Sequence, residues 1–194
     1  MSARVTDHWP GQTWDDLVRL WEEMDWPEGS KVEIIDGVIT VSPSPANQHH
    51  AIAEKVQRSL YFGLPEDRGI YPTLPVALPL GVAMPIPDLV VAPVADVATP
   101  GTCIPARAAE LVVEVTSPGN AHYDRITKAA CYARSAIPLY LLIDRWAPGG
   151  PTITLYGEPT GDVYRTLSAC KFGETIKLPA PFDLDLDTSR FPTD

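Results

Sequence analysis

The chain has 194 residues, 45% hydrophobic and 21% charged, which is ordinary for a globular protein and enough for one domain with a sizeable core. Its 25 acidic and 15 basic residues give a net charge of −10, which disfavours a general nucleic-acid or anionic-membrane binder because such proteins rely on a positive field. No apolar run approaches a membrane span, and the opening MSARVTDHWP has no apolar signal core. We therefore expect a soluble cytoplasmic protein with no membrane partner.

A helix, a hairpin and a second helix are predicted in the first third of the chain. TWDDLVRLWEEM (13–24) has helical apolar spacing, and Thr13 begins it in the manner of a capping box. KVEIIDGVITV (31–41) predicts a hairpin around Asp36-Gly37, a pair typical of a type I′ turn. HHAIAEKVQRSLYFGL (49–64) predicts the second helix.

Strands dominate from residue 71 onwards. YPTLPVALPL (71–80), PDLVVAP (87–93) and ELVVEV (110–115) predict strands, with DVATPGTCIPARAA as a loop before the last of them. NAHYDRITKAACYARSA (120–136) predicts a helix and LYLLID (139–144) a further strand. The later runs TITLYG, DVYRTLS and ETIKL indicate an antiparallel meander, which FDLDLD follows as an ordinary solvated edge.

This order of elements predicts an α+β fold with a central mixed β-sheet flanked by helices, an N-terminal hairpin and a C-terminal antiparallel meander. We expect one domain over 1–194, with a core of about 31–145 and a C-terminal β extension over 146–194. The strand–helix–strand unit 111–143 should be a right-handed crossover, which makes LYLLID parallel to LVVEV. The three cysteines are odd in number and widely spaced, so we expect buried free thiols: Cys103, Cys131 and Cys170.

Glu114 stands inside a strand that otherwise looks buried on both faces. An ionised carboxylate buried without a partner costs several kcal/mol, so Glu114 is neutral, at an exposed sheet end, paired with a cation or bound to a metal. Asp88 opens the DLVV strand, and if the two strands are antiparallel neighbours the two carboxylates meet at one sheet end. Two adjacent acids favour a divalent cation, or else one is protonated. The alternatives are that Asp88 only caps a loop and that Glu114 pairs with an arginine.

Several segments taken in order resemble the Uma-type restriction endonuclease family of the PD-(D/E)XK nuclease superfamily. They are VEIIDGVITVSPSP followed by His49, then PDLVV, ELVVEVTSP, the four-residue spacing of Asp124, Lys128 and Tyr132, IPLYLLID and PFDLDLD. The resemblance implies a restriction-endonuclease-like core in which Asp88 and Glu114 ligate Mg²⁺ (or Mn²⁺) and activate water against a DNA phosphodiester. The superfamily's Glu-x-Lys position is occupied here by Thr116.

The resemblance assigns the missing lysine to the following helix, where Lys128 matches it and would orient the water and offset phosphorane charge. Asp124 and Tyr132 share its stripe and would support it. The competing interpretation is a solvated helix face with an Asp–Lys pair, because the apolar face would consist of other residues: Ile126, Ala129, Ala130, Ala133 and Ile137. Because alanines are small, the sequence leaves the buried face open.

Two further positions match the family pattern. Glu33 would be a further metal ligand or would hold the lysine, or else it is a polar residue on the outer side of its strand. His49 would contact phosphate or tune a ligand, or else it only begins a helix, and the adjacent His50 leaves the register open. Asp144 is expected to be a strand-terminal turn residue.

The leading hypothesis is thus a metal-dependent DNA endonuclease with Asp88, Glu114 and Lys128 as catalytic residues. A local positive lining for phosphates would come from a small set of side chains: His122, Arg125, Lys128, Arg134, Arg107 and Arg145. The alternative is a catalytically inactive nuclease-like domain that binds a partner protein or nucleic acid, which Thr116 and the negative charge favour. A small-molecule hydrolase lacks support, since the sequence has no G-x-S-x-G, H-E-x-x-H or P-loop. Free strand edges in the meander are compatible with a homodimer.

Overall fold

The computed structural model describes residues 3–4, 13–79 and 83–193. The strands are β1 (Ala3–Arg4), β2 (Lys31–Ile35), β3 (Val38–Ser42), β4 (Arg68–Pro72), β5 (Val76–Ala77), β6 (Leu89–Pro93), β7 (Ile104–Pro105), β8 (Leu111–Val115), β9 (Leu139–Asp144), β10 (Thr152–Thr160), β11 (Val163–Lys171), β12 (Thr175–Leu178) and β13 (Leu184–Asp187). The helices are α1 (Trp14–Glu23), α2 (Asn47–Leu60), α3 (Val94–Val97) and α4 (Ala129–Arg134), with a 3₁₀ turn (Ala106–Ala108) and a π-helix (Tyr123–Lys128).

Two sequence predictions fall partly outside the described residues. The N-terminal stretch 1–10, in which no signal core is expected, lies outside them except for 3–4, and so does residue 80 at the end of the predicted strand region 71–80. Within the described ranges, no helix combines the length and apolarity that crossing a bilayer demands.

Six strands form the central sheet in the order β11-β10-β9-β8-β6-β4. β8 and β9 are parallel, and every other neighbouring pair is antiparallel, so the predicted mixed sheet of an α+β fold is confirmed. Beyond residue 145 the predicted antiparallel meander continues the central sheet, because β10 pairs directly with β9 and β11 pairs with β10. In this C-terminal region, β12 and β13 form a hairpin that lies apart from the central sheet.

The β6–β8 ladder decides where the two strand acids lie. Leu89 pairs with Val113 in this antiparallel ladder, so one further step puts Asp88 opposite Glu114. Side chains alternate between the two faces along a strand, and both acids therefore project from the same face of the sheet. This end of the ladder is held by a further backbone hydrogen bond, in which the Asp88 N–H donates to the Val113 carbonyl at 3.0 Å.

The N-terminal elements form as their sequence predicts. The Thr13 hydroxyl accepts from the Asp16 N–H at 3.2 Å while the Asp16 carboxylate accepts from the Thr13 N–H at 3.1 Å, which completes a capping box on α1. β2 and β3 form the predicted hairpin, and Asp36 and Gly37 take φ of 49° and 73°, as a type I′ turn requires. β3 also pairs with β1, which makes a three-stranded sheet.

The helical segment between β8 and β9 turns an unexpected face inward. Ile126 is 56% exposed, whereas Asp124, Lys128 and Tyr132 are buried. The competing interpretation, a solvated face that carries Asp124 and Lys128, is therefore wrong. The polar stripe is inside because it finds buried partners there, and the π-helix Tyr123–Lys128 carries two of its members.

Apolar clusters cover both faces of the central sheet. One face packs against α2 and the β12–β13 hairpin, and the other against α4 and the segments around β5 and β7. α2 begins at Asn47 and ends at Leu60, so the predicted helix 49–64 is shifted towards the N-terminus. The predicted loop 96–109 contains the end of α3, β7 and the 3₁₀ turn. All three thiols are free as expected, but only Cys131 is buried.

Candidate active site

Asp88 has one carboxylate oxygen anchored and the other directed at a cation. Its Oδ2 accepts from the Val115 N–H at 2.7 Å and lies 3.1 Å from His49 Nε2. Its Oδ1 lies 3.1 Å from the Lys31 ammonium. Burial opposes ionisation of this carboxyl, but the Lys31 charge, His49 and the Val115 N–H outweigh burial and hold the pKa of Asp88 well below its usual range.

Glu114 is arranged in the same way from the neighbouring strand. Its Oε1 accepts from the Tyr132 hydroxyl at 2.7 Å and from the Lys128 ammonium at 2.9 Å. Its Oε2 lies 3.5 Å from the Lys31 ammonium. Only 1% of Glu114 is exposed. The burial of Glu114 inside the strand is therefore explained by the ammonium groups of Lys31 and Lys128 and by the hydroxyl of Tyr132. The alternative that Glu114 pairs with an arginine is wrong.

Lys128 lies among three buried carboxylates. Its Nζ is 2.8 Å from Glu33, 2.9 Å from Glu114 and 3.5 Å from Asp124, and Lys128 itself is 3% exposed. Burial alone would lower the pKa of Lys128, but the three carboxylates raise it well above the usual value. An ammonium has three N–H donors, and here each has a carboxylate within reach. This environment differs from the one expected for a lysine that contacts water or phosphate.

Glu33 is buried and serves as a second anchor of this lysine. Its Oε1 accepts from the Ile86 N–H at 2.8 Å as well as from Lys128. Burial raises the pKa of Glu33, but the charges of Lys128 and Lys31 overcome that effect and the pKa is lowered. The outward-facing alternative for Glu33 is therefore wrong.

Asp124 is the carboxyl that the shared ammonium stabilises least, because it is the most distant of the three. Burial raises the pKa of Asp124 to about 8, against a partial opposing effect of Lys128. In metal-free protein near neutral pH this side chain is mainly protonated.

The structure also resolves the histidine register. His49 is buried beside Asp88, whereas His50 is exposed on α2. His49 Nδ1 is buried and has no hydrogen-bond partner within the described ranges 13–79 and 83–193.

Sequence reasoning missed Lys31, which lies between Asp88 and Glu114. A signal for it existed: Lys31 and Glu33 are two residues apart in β2, so they share one face of the strand, and Glu33 was already a candidate. The expected position of the superfamily lysine holds Thr116, whose hydroxyl donates to Asp144 at 3.1 Å and accepts from the Arg145 N–H at 3.0 Å. Thr116 therefore ties the ends of β8 and β9 together.

Asp144 does more than end a strand. It is buried and pairs with Arg125, whose Nε and Nη2 lie 2.6 and 2.9 Å from its two oxygens. This pairing neutralises Arg125, and Arg134 likewise lies 3.7 Å from Asp36. Of the six residues predicted to form a positive lining, Lys128 and Arg145 line the cleft onto which the acids open, and the other four do not line it.

The acids open onto a cleft of about 320 Å³. Its walls come from the loop after β3, the start of α2, the ends of β8 and β9 and the π-helix. Arg145 and Trp146 stand at its side, with the guanidinium 5.8 Å from the indole centroid and Trp146 48% exposed. A second cleft of about 500 Å³ borders Lys31, His49 and Asp88 from the other direction.

The donor set fits a hard divalent cation of low protein coordination. No cluster of three or more His, Cys, Asp or Glu side chains arranged around a metal occurs within residues 13–79 and 83–193. However, Asp88 Oδ1 and Glu114 Oε2 already converge on one cation, the Lys31 ammonium. Mg²⁺ is characteristically held by one or two carboxylates, with water and substrate phosphate completing its shell.

Comparison with known proteins gives a solved neighbour and a family. The crystal structure of "a putative nuclease belonging to DUF820" from Anabaena variabilis matches with a TM-score of 0.68 and 18% identity, covering 93% of this chain and 97% of that one. At that identity the likeness establishes the shared fold. No curated protein matches the chain. The model of the Uma2 family, described as "Putative restriction endonuclease", matches residues 14–189, and the chain therefore belongs to that family.

Proposed function

We propose that this protein is a divalent-metal-dependent endonuclease that hydrolyses DNA phosphodiester bonds, with the ion held by Asp88 and Glu114. Family membership and the fold of the Anabaena protein support a nuclease. One observation carries the metal site: each carboxylate has one oxygen anchored by fixed donors, and the two remaining oxygens both lie within 3.5 Å of one positive charge.

Mg²⁺ or Mn²⁺ bound there would acidify water and neutralise charge on a phosphate. The chain's own residues fix the two ligands. The Val115 N–H and His49 orient Asp88 through Oδ2, so Oδ1 is the oxygen that would bind the ion. Because ligand orientation is set before binding, less conformational entropy is lost when the ion binds.

Lys128 and Tyr132 do the same for Glu114. Both donate to Oε1, so Oε2 is the oxygen that would bind the ion. Since Glu33 and Asp124 occupy the remaining donors of Lys128, we assign Lys128 to positioning Glu114 rather than to direct contact with substrate. Arg145 and Trp146, at the side of the cleft, supply a cation and an aromatic face for a nucleic acid strand.

The test is a cleavage assay on metal-stripped protein to which Mg²⁺ or Mn²⁺ is restored, with double-stranded, single-stranded and branched DNA and an RNA of matched sequence. Glu114→Gln and Asp88→Asn should abolish metal-dependent cleavage because each removes a ligand charge. Glu158→Gln and Asp185→Asn, both at exposed positions, are the matched controls and should cleave as the native protein does. Cleavage that survives Glu114→Gln would refute the assignment, and cleavage of RNA alone would refute DNA as the substrate.

A second candidate function is favoured by the lysine ammonium between the two acids. A permanent ion pair of Lys31 with Asp88 and Glu114 would make the protein a catalytically inactive nuclease-like domain that binds nucleic acid or a partner protein. The cleavage assay separates the two, because the inactive domain would leave every substrate intact at any metal concentration.

A homodimer is a separate proposal. β11 is the last strand of the central sheet, and only its β10 side is paired within that sheet. A second copy could add to the open edge by strand pairing. Sedimentation equilibrium would test this, with Leu167→Lys on β11 expected to give a monomer.

A further inference from the structure

We propose that Lys31 is a built-in competitor of the divalent cation: its ammonium holds the two metal-ligand carboxylates in the metal-free protein and is displaced when the ion binds. This inference rests on the proposed function, since it assigns Lys31 a role at the same site. It predicts that Lys31 lowers the affinity for metal and stabilises the metal-free fold.

The Lys31 ammonium and the divalent cation need the same carboxylate oxygens. The ammonium lies 3.1 Å from Asp88 Oδ1 and 3.5 Å from Glu114 Oε2. These are the oxygens that the fixed donors leave unanchored, because Val115, His49, Lys128 and Tyr132 all address the other two. An ion bound between the carboxylates would meet the Lys31 charge at contact distance, where like charges repel strongly in a buried site.

The Lys31 ammonium is able to move away from the two carboxylates, whereas the Lys128 ammonium is not. Lys31 begins β2, its side chain is 16% exposed and it borders both clefts. A flexible four-carbon stem lets its ammonium move into either cleft without backbone change. Lys128 is buried among three carboxylates, and its departure would leave all three without their shared cation. The two lysines that contact Glu114 therefore have different roles.

The two carboxylates need a positive counter-charge when no metal is bound. Asp88 and Glu114 are both buried, and the register of the sheet holds them on one face. Two adjacent buried carboxylates without a counter-charge destabilise a fold, because desolvation and mutual repulsion add. Lys31 supplies that charge until a metal replaces it.

The experiment measures Mn²⁺ binding by titration calorimetry on chelator-stripped native protein, Lys31→Met, Lys31→Gln and Glu114→Gln. Lys177→Met is the matched control, since it removes the same charge from an exposed position on β12. Lys31→Met and Lys31→Gln should bind Mn²⁺ about tenfold more tightly than the native protein, the size expected from losing a competing charged hydrogen bond. Their metal-free melting temperature should fall, and the rise in melting temperature on adding Mn²⁺ should exceed that of the native protein.

The outcomes separate this inference from the proposed function. If Glu114→Gln abolishes binding while both Lys31 variants bind Mn²⁺ no more tightly than the native protein, the competitor role is refuted and the metal site stands. If neither the native protein nor a Lys31 variant binds Mn²⁺, or if Glu114→Gln binds normally, the metal site itself fails. Binding by the Lys31 variants alone would show that the ammonium is not displaced in the native protein, which refutes the exchange and favours the permanent ion pair. Should Lys31→Met not fold without metal, Lys31→Gln, which keeps an N–H donor, gives the measurement.

Discussion

Replacing Asp124 with asparagine should change how stability depends on pH. Asp124 is the third and most distant carboxyl around the Lys128 ammonium, at 3.5 Å, and burial raises its pKa to about 8. Asparagine has nearly the same shape and resembles the protonated acid, so near pH 4, close to the unfolded pKa of 3.8, the variant should be about as stable as the native protein. The two should diverge as pH rises.

The size of the divergence follows from the difference in pKa between the folded and unfolded states. The unfolded carboxyl has a pKa of 3.8, so above pH 5 folding takes up a proton until the folded group ionises at about 8. Stability of the native protein falls with rising pH across this window, by about 1.4 kcal/mol per pH unit below pH 8 and less beyond it. From pH 6 to pH 8 the advantage of Asp124→Asn should grow by about 2 kcal/mol.

The measurement is urea unfolding followed by far-UV circular dichroism at pH 6, 7 and 8, in chelator so that no metal perturbs the carboxyl. Asp185→Asn, exposed on β13, is the matched control, and its difference from the native protein should not change with pH. Parallel curves for the native protein and Asp124→Asn would refute the reasoning. So would an advantage that shrinks with pH, because Asp124 would then be an ionised partner of Lys128.

Three further substitutions test the supports of the site. Lys128→Met should cost about 3–5 kcal/mol of unfolding free energy, because it leaves buried carboxylates unpaired, as urea unfolding at pH 7 would measure. Tyr132→Phe removes the 2.7 Å bond to Glu114 and should cost about 1–3 kcal/mol while weakening Mn²⁺ binding, measured by calorimetry. Thr116→Val removes the hydroxyl that joins β8 to Asp144 and should cost about 1–3 kcal/mol in thermal unfolding.

Each of these has a matched control at an exposed position of the described chain. Lys177→Met, Tyr61→Phe and Thr175→Val make the same chemical change away from the site and should alter stability by less than about 0.5 kcal/mol. A site variant that behaves like its control would contradict the role given to that side chain.

The position of the two acids could be predicted from sequence because it depends on strand pairing alone. Asp88 and Glu114 stand at opposite ends of their apolar runs, and antiparallel neighbours bring those ends together. The inward face of the following helix could not be predicted, because Ile126 is more apolar than Lys128 and is nevertheless the exposed residue. Burial of Lys128 depends on Glu33, which a distant hairpin supplies. Tertiary partners here override the apolar pattern.

Lys31 is a second residue whose role depends on tertiary contacts that the sequence does not show. At the sequence level it is an ordinary polar residue at the start of a hairpin strand, and its partners are 57 and 83 residues away. Its alternation with Glu33 placed both on one face, but only the packing of the hairpin against the sheet end decides that this face meets Asp88. The pairing of β10 with β9 also depends on tertiary contacts, since the alternation in β10 predicts a strand but does not identify its neighbour.

Charge balance links the roles of the two lysines. Leaving aside Asp124 and His49, the cluster holds three carboxylates against two ammoniums: Glu33, Asp88 and Glu114 with Lys31 and Lys128. One negative charge is then left over in a buried site, where uncompensated charge is costly. Exchanging the single charge of Lys31 for a divalent cation makes the cluster neutral. Removing Lys31 without adding metal has the opposite effect and leaves two surplus charges, so metal affinity should rise and metal-free stability should fall in the same variant.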